Sequence, residues 1–105
     1  MDRKAQRYTV WLPVRIPELE AGMAVSHNVS GRGMLVVTAT TLEGGANVHV
    51  VVNLPPEGVE ERELTGKVVR VEANEEDPEG LWPHRVAVEF DEPSAEIERT
   101  LTQLV

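Results

Sequence analysis

Apolar side chains recur at every second position through most of this 105-residue chain, in short runs broken by glycine, proline and acidic turns. A period of two puts alternate side chains on opposite faces of a strand, so each run buries one face and needs neighbouring strands to cover it. Val48, Val50, Val52 and Leu54 form the cleanest run, introduced by Gly44-Gly45 and stopped by Pro55-Pro56. Val10, Leu12, Val14 and Ile16 form another, with Thr9, Trp11 and Arg15 on the opposite face. Pro13 inside that run predicts an edge or a bulge. Further strands are predicted over 22–27, 34–38 and 64–71, and Gly66 is a candidate bulge in the last of these. In a sixth strand Val86, Val88 and Phe90 face one way and Arg85, Ala87 and Glu89 the other.

The period changes at the end of the chain. Ile97, Leu101 and Leu104 recur at helical spacing, Ser94 is placed to cap the helix, and Glu96 falls in its first turn, where the helix dipole favours an acid. The pattern predicts a mostly all-β fold: a small six-stranded antiparallel barrel with one C-terminal α-helix laid over an open end or side. There is no internal repeat, linker or low-complexity tract, so residues 1–105 are expected to form a single domain, either a whole protein or part of a larger one.

The net charge of −8 argues against binding a nucleic-acid polymer, which relies on a basic surface to displace counterions. A small anion senses the local field instead, and the cations gather early, at Arg3, Lys4, Arg7 and Arg15. The acids concentrate at 57–63 and 72–79. With no cysteine there is neither a disulfide nor a thiolate metal site. No stretch approaches the roughly 20 apolar residues of a membrane span, and no signal-peptide pattern is seen, so a cytoplasmic protein without direct membrane insertion is expected.

Two short motifs carry chemistry. Arg3-Lys4-Ala5-Gln6-Arg7 sets two arginines four apart, and Asn28-Val29-Ser30-Gly31-Arg32-Gly33 is an N-x-S-x-x-G pattern. The planar arginine fork matches guanine O6 and N7 as well as phosphate oxygens. Asn28 and Ser30 each donate and accept, and two apart on extended backbone they point to the same side. The segment Ser30–Gly33 is predicted as a turn whose glycines are free to take positive φ, with Gly33 permitting close backbone or ligand approach. Arg32 could add a third cation at the turn tip or merely solvate it. Trp11, Trp82 and Tyr8 offer faces on which a base could stack, although such residues far more often are partly buried packing. His27, His49 and His84 lack metal-ligand spacing. His49 is expected on the outer face of its strand, and His27, just before the motif, is the histidine to watch. The acids at 72–79 do not have the spacing of a calcium-binding loop and are expected to be a solvated loop.

Together the motifs resemble the R-x-x-x-R and [D/N]-x-S-x-x-G signature of the PilZ domain, a bacterial module that binds cyclic di-GMP. The resemblance extends along nearly the whole chain. It includes the Leu12-Pro13-Val14-Arg15 strand after the second arginine, the glycine motif between two strands, the Val86-Ala87-Val88-Glu89-Phe90 strand and the Ser-capped helix. It implies that Arg3 and Arg7 clamp the ligand and that Asn28, Ser30 and Gly33 form the second half of the site, with Arg32 and Lys4 as additional contacts. Asn28 stands where Asp is the alternative, and lacks the paired charged acceptors that a carboxylate offers guanine. Asp2 sits at the position that influences whether one dinucleotide or an intercalated pair is bound.

The resemblance therefore implies a cyclic di-GMP sensor that needs no cofactor. An N-terminal arm closing over the ligand would relay its presence to a downstream protein or neighbouring domain. The alternative is a PilZ-fold protein-interaction domain without a nucleotide ligand, of the kind tied to pilus assembly. An enzyme is not expected, since there is no nucleophile beside a base and no His–Asp pair at useful spacing.

Overall fold

In the computed structural model of the chain, residues 9, 11–19, 23–53, 61–77 and 79–104 are described. The strands are β1 (Pro13–Arg15), β2 (Met23–Ser30), β3 (Gly33–Thr38), β4 (Asn47–Asn53), β5 (Glu61–Ala73) and β6 (His84–Phe90), followed by helix α1 (Ala95–Leu104). They close into a barrel in the order β1-β2-β3-β6-β5-β4, and every pairing is antiparallel. This is the six-stranded barrel with a C-terminal helix that the alternation predicts. Closure leaves no complete sheet edge and gives the inward faces a common interior. Val14, Ile16, Met34, Val36, Val48, Val50, Val52, Val68, Val86, Val88 and Phe90 fill it, joined by Leu12, Leu19, Ala24, Val29 and Ile97. Each of these side chains larger than alanine contributes about 1.5–3 kcal/mol by leaving water.

Several local expectations are corrected. Pro13 lies on no free edge: it is the first residue of β1, paired with Val25 of β2, while pairing with β4 begins at Val14. A proline is tolerated there because the first residue of a strand is where a missing N–H matters least. β2 runs on to Ser30, beyond the expected end at His27. Gly66 is not a bulge. The irregularity in β5 falls between Val68 and Arg70, whereas Gly66 pairs in register with Phe90. A Cβ on Gly66 would come within 2.6 Å of the Glu89 carbonyl oxygen, so glycine serves close strand approach at this point. Val10, Gly22, Leu54, Pro55 and Pro56 lie outside the described residues.

The turn before β4 is where a glycine is needed for its backbone. Gly45 has φ of +88°, and the Ala46 N–H donates to the Glu43 carbonyl over 3.2 Å. The helix starts as its sequence predicts. Ser94 Oγ accepts the Ile97 N–H at 3.2 Å, satisfying one of the donors a helix leaves open at its start. Ile97 is 1% exposed and joins the core, while an Arg62 Nε–Glu96 Oε2 pair at 2.7 Å ties β5 to the helix. The side chains of Leu101 and Leu104, the rest of the expected stripe, lie outside what is described.

Candidate ligand-binding site

The second motif sits on the β2–β3 hairpin, and its orientation depends on one irregularity. Ala24 and Val29 both belong to the core, yet they are five residues apart, an odd spacing that unbroken alternation would send to opposite faces. The ladder with β3 resolves the conflict. Ser26 pairs with Val36 and Asn28 with Leu35, so His27 is an extra residue, a β-bulge. The bulge shifts the phase of the strand. Val29 turns inward, and Asn28 and Ser30, its neighbours, turn to the outer face. Ser26, just before the bulge, fastens the neighbouring chain: its N–H donates to the Leu12 carbonyl at 2.9 Å, and its Oγ accepts the Leu12 N–H at 2.8 Å.

The turn proper is shorter than expected. Only Gly31 and Arg32 lie outside the strands, and Ser30 pairs with Gly33. Neither glycine has positive φ, contrary to the reading of this segment as a positive-φ turn. Each is required for space. A Cβ on Gly33 would collide with the Val88 carbonyl oxygen of β6, and one on Gly31 would lie 3.0 Å from the Ser94 carbonyl oxygen and 3.1 Å from Glu98 Cβ. The Ser94 N–H donates to the Gly31 carbonyl at 2.6 Å, and the Phe90 N–H donates to that of Arg32 at 2.9 Å. The motif turn is thus bonded to the last residue of β6 and to the residue that caps α1.

Ser30 is 3% exposed, and its hydroxyl serves the hairpin, accepting the Arg32 N–H at 3.1 Å and lying 3.4 Å from the Gly33 carbonyl. Asn28 is half-buried and the Arg32 side chain is exposed. The structure therefore brings Asn28, Ser30, Arg32 and Gly33 together on one hairpin. Lys4, Arg3 and Arg7, with Asp2 and Tyr8, lie outside the described residues. Because β1 runs antiparallel to β2, the described segment from Arg15 back to Trp11 runs along β2 in the direction of Asn28 and Ser30.

The aromatic and histidine readings divide. Trp82 is half-buried, as expected, but Trp11 is 60% exposed, against the expectation of partly buried packing, and its ring meets that of His27 edge-on, with centroids 5.2 Å apart. His49 is on the outer face, as expected, and is paired. Its Nδ1 lies 2.6 Å from Glu18 Oε2, and its backbone N–H donates to Glu18 Oε1 at 2.9 Å. The hydrogen bond to Glu18 and that carboxylate's charge raise the His49 pKa above its ordinary 6.5. Burial pushes the Glu18 carboxyl up, but the bonds from His49 outweigh it and the net shift is downward.

The acidic stretch at 72–79 is exposed at its glutamates yet built on bonds. Asn74 donates to the Trp82 carbonyl at 2.6 Å and accepts from Glu76 N–H and Arg85 Nε, both at 3.3 Å. A concavity of about 540 Å³ beside it is lined by Glu72, Ala73, Glu75, Glu76 and Arg85, and one of about 490 Å³ by Glu63, Leu64, Thr65, Asp91, Glu92, Pro93 and Ser94. Their acidic linings repel an anionic ligand. Among the described residues no three His, Asp or Glu gather into a metal-holding group, and no helix is long and apolar enough to cross a membrane.

The family model of the PilZ domain matches residues 1–105. The chain belongs to the PilZ domain family. PilZ domains are regulatory binding modules known for cyclic di-GMP signalling. Among solved structures, this PilZ domain resembles the inhibitor of motility MotI/DgrA of Bacillus subtilis, with a TM-score of 0.74 and 25% identity. The match covers 99% of this chain and 49% of that protein, so the chain spans about half the length of that relative. It also shares its fold with the PilZ domain of CeSA from a cellulose-synthesizing bacterium. There the TM-score is 0.60 at 20% identity, covering 96% of this chain and 95% of that one. A comparison with curated proteins finds no match.

Proposed function

We propose that this PilZ domain is a cyclic di-GMP sensor that signals by closing its N-terminal arginine arm over the ligand. The observation that carries the reading is the bulge at His27. It turns Asn28 and Ser30 to the outer face at the hairpin where Arg32 is exposed, and β1 pairs with the same strand, β2. In this reading Arg3 and Arg7 grip guanine edges and phosphates, Asn28 reads a guanine edge, and Arg32 and Lys4 add charge. Ser30 and Gly33 hold the turn against which the ligand rests. Ordering the arm costs affinity, which charge-assisted contacts offset. The closed arm is a new surface for a downstream protein or a neighbouring domain, and the setting proposed is the cytoplasm. The domain performs no chemistry on the ligand.

The test is calorimetric titration of cyclic di-GMP into the wild type and Arg3→Ala/Arg7→Ala, with GTP and cyclic di-AMP as controls. Selective, saturable binding is expected. Each arginine–guanine pairing that is removed should weaken it about 5- to 150-fold, the equivalent of about 1–3 kcal/mol. Chromatography of the recovered ligand should return it intact. One observation favours the second reading, a PilZ-fold protein-interaction domain with no nucleotide: the Ser30 hydroxyl is already used within the hairpin. Absence of heat and of any ligand-induced change in melting temperature would select it.

A further inference from the structure

The outer face of the first two strands departs from the polar surface expected of a small barrel in water. Barrel strands carry polar residues outward, yet Trp11, Pro13 and Met23 are exposed here and Val25 is half-exposed. Pro13 pairs with Val25, and Trp11 touches His27, so these side chains form one apolar strip across the two strands. The strip ends at Asn28. An apolar surface therefore adjoins a group that can hydrogen-bond a base edge, since Asn28 directly follows the His27 that Trp11 meets.

Trp11 is held in place rather than loosely displayed. Its ring stands at 72° to His27, the edge-to-face arrangement that the quadrupoles of aromatic rings favour. The backbone beneath it is fixed by the two bonds between Leu12 and Ser26. His27 Nδ1 is shut off from solvent and has no hydrogen-bond partner among the described residues, so packing against its surroundings sets this ring. The bulge that turns Asn28 outward thus also supplies the ring that braces Trp11.

We infer that Trp11 is a stacking platform for a guanine base of the bound dinucleotide, with His27 as its positioning residue. The inference rests on the cyclic di-GMP reading above and adds a base-binding surface to it. Aromatic faces accept any base, so selectivity comes from Asn28 and the arginines while Trp11 supplies affinity.

The chain has two tryptophans, so Trp82→Phe leaves Trp11 as the sole indole reporter. Titrating cyclic di-GMP into that variant should quench its emission to a saturating value, at the same midpoint that calorimetry gives. In the wild-type background, Trp11→Ala should weaken binding about 5- to 150-fold, the loss a base–aromatic stack carries, and Trp11→Phe should restore most of it. A thermal melt confirms that each variant is folded, as expected for a side chain 60% exposed. If the wild type binds while Trp11→Ala binds equally well and the Trp11 emission stays flat, the stack is overturned and the sensor reading stands. The strip would then be assigned to a protein partner. If the wild type does not bind, both fall together.

Discussion

Gly33→Ala isolates the reason this motif contains a glycine. The added methyl would meet backbone alone: the Val88 carbonyl oxygen at collision distance, and Glu89 Cα at 3.3 Å. No side chain can swing aside, so relief requires the β3–β6 ladder to open around the Gly33–Glu89 and Met34–Val88 pairs. Overpacking of this kind costs about 1–3 kcal/mol. Because φ is not positive, alanine adopts the backbone without strain and narrows the unfolded ensemble, offsetting about 0.4–1 kcal/mol. The net expectation is a loss of about 1–2 kcal/mol, which for a domain of this size lowers the melting temperature by about 4–8 °C. Thermal unfolding followed by circular dichroism measures it. Two sister variants calibrate the result. Gly31→Ala meets the flexible Glu98 side chain and one carbonyl and should lose less, while Gly44→Ala meets nothing within 4 Å and should stay within about 0.5 kcal/mol. A Gly33→Ala protein that melts with the wild type would refute the claim that close strand approach demands this glycine. Titration below its melting point adds a second answer: wild-type affinity for cyclic di-GMP would show that the glycine serves the barrel and not ligand contact.

The Glu18–His49 pair should make stability depend on pH in a defined window. His49 is raised in the fold, so its contribution is complete below its ordinary 6.5 and fades as pH climbs through the folded value. Glu18 is lowered, so its contribution is complete above its ordinary 4.5 and fades as pH falls through the folded value. The melting-temperature gap between wild type and Glu18→Gln should therefore be widest between pH 4.5 and 6.5 and narrow on both sides; a flat gap across that range counts against the pair. Ser94→Ala removes the acceptor for the Ile97 N–H and should cost about 1 kcal/mol, or about 4 °C, with Ser94→Asn close to wild type. An unchanged melt for Ser94→Ala would mean that the Ser94–Gly31 backbone bond alone sets the start of the helix.

The fold was legible because barrel strands announce themselves locally. Val48, Val50 and Val52 alternate, and all three are buried in the same interior. Ser94 precedes Ile97 at capping distance, and the cap forms. Gly45 fell in the expected turn and took positive φ. The misassigned features share a cause, in that each depends on a neighbouring strand. Gly66 read as a bulge because a lone glycine in a strand has two explanations, and only the position of the Glu89 carbonyl chooses between them. The true irregularity at Val69 has no residue type to mark it. The bulge at His27 did leave a trace, since Ala24 and Val29 cannot both face inward without an extra residue between them. That trace becomes usable only once both are known to be buried.

The site divides along the same line. Residue chemistry and spacing were sufficient to single out Asn28, Ser30, Arg32 and Gly33, because hydrogen-bonding capacity, charge and the lack of a side chain belong to each residue alone. A period of two was enough to put Asn28 and Ser30 on one side of their strand. Which side that is, barrel interior or outer surface, was decided by the phase shift at His27, and a phase exists only relative to the strand across the ladder. The exposure of Trp11 beside His27 is likewise a property of two segments brought together by pairing. Local sequence sets what each residue can do; the closure of the sheet sets which residues meet and which of them reach solvent.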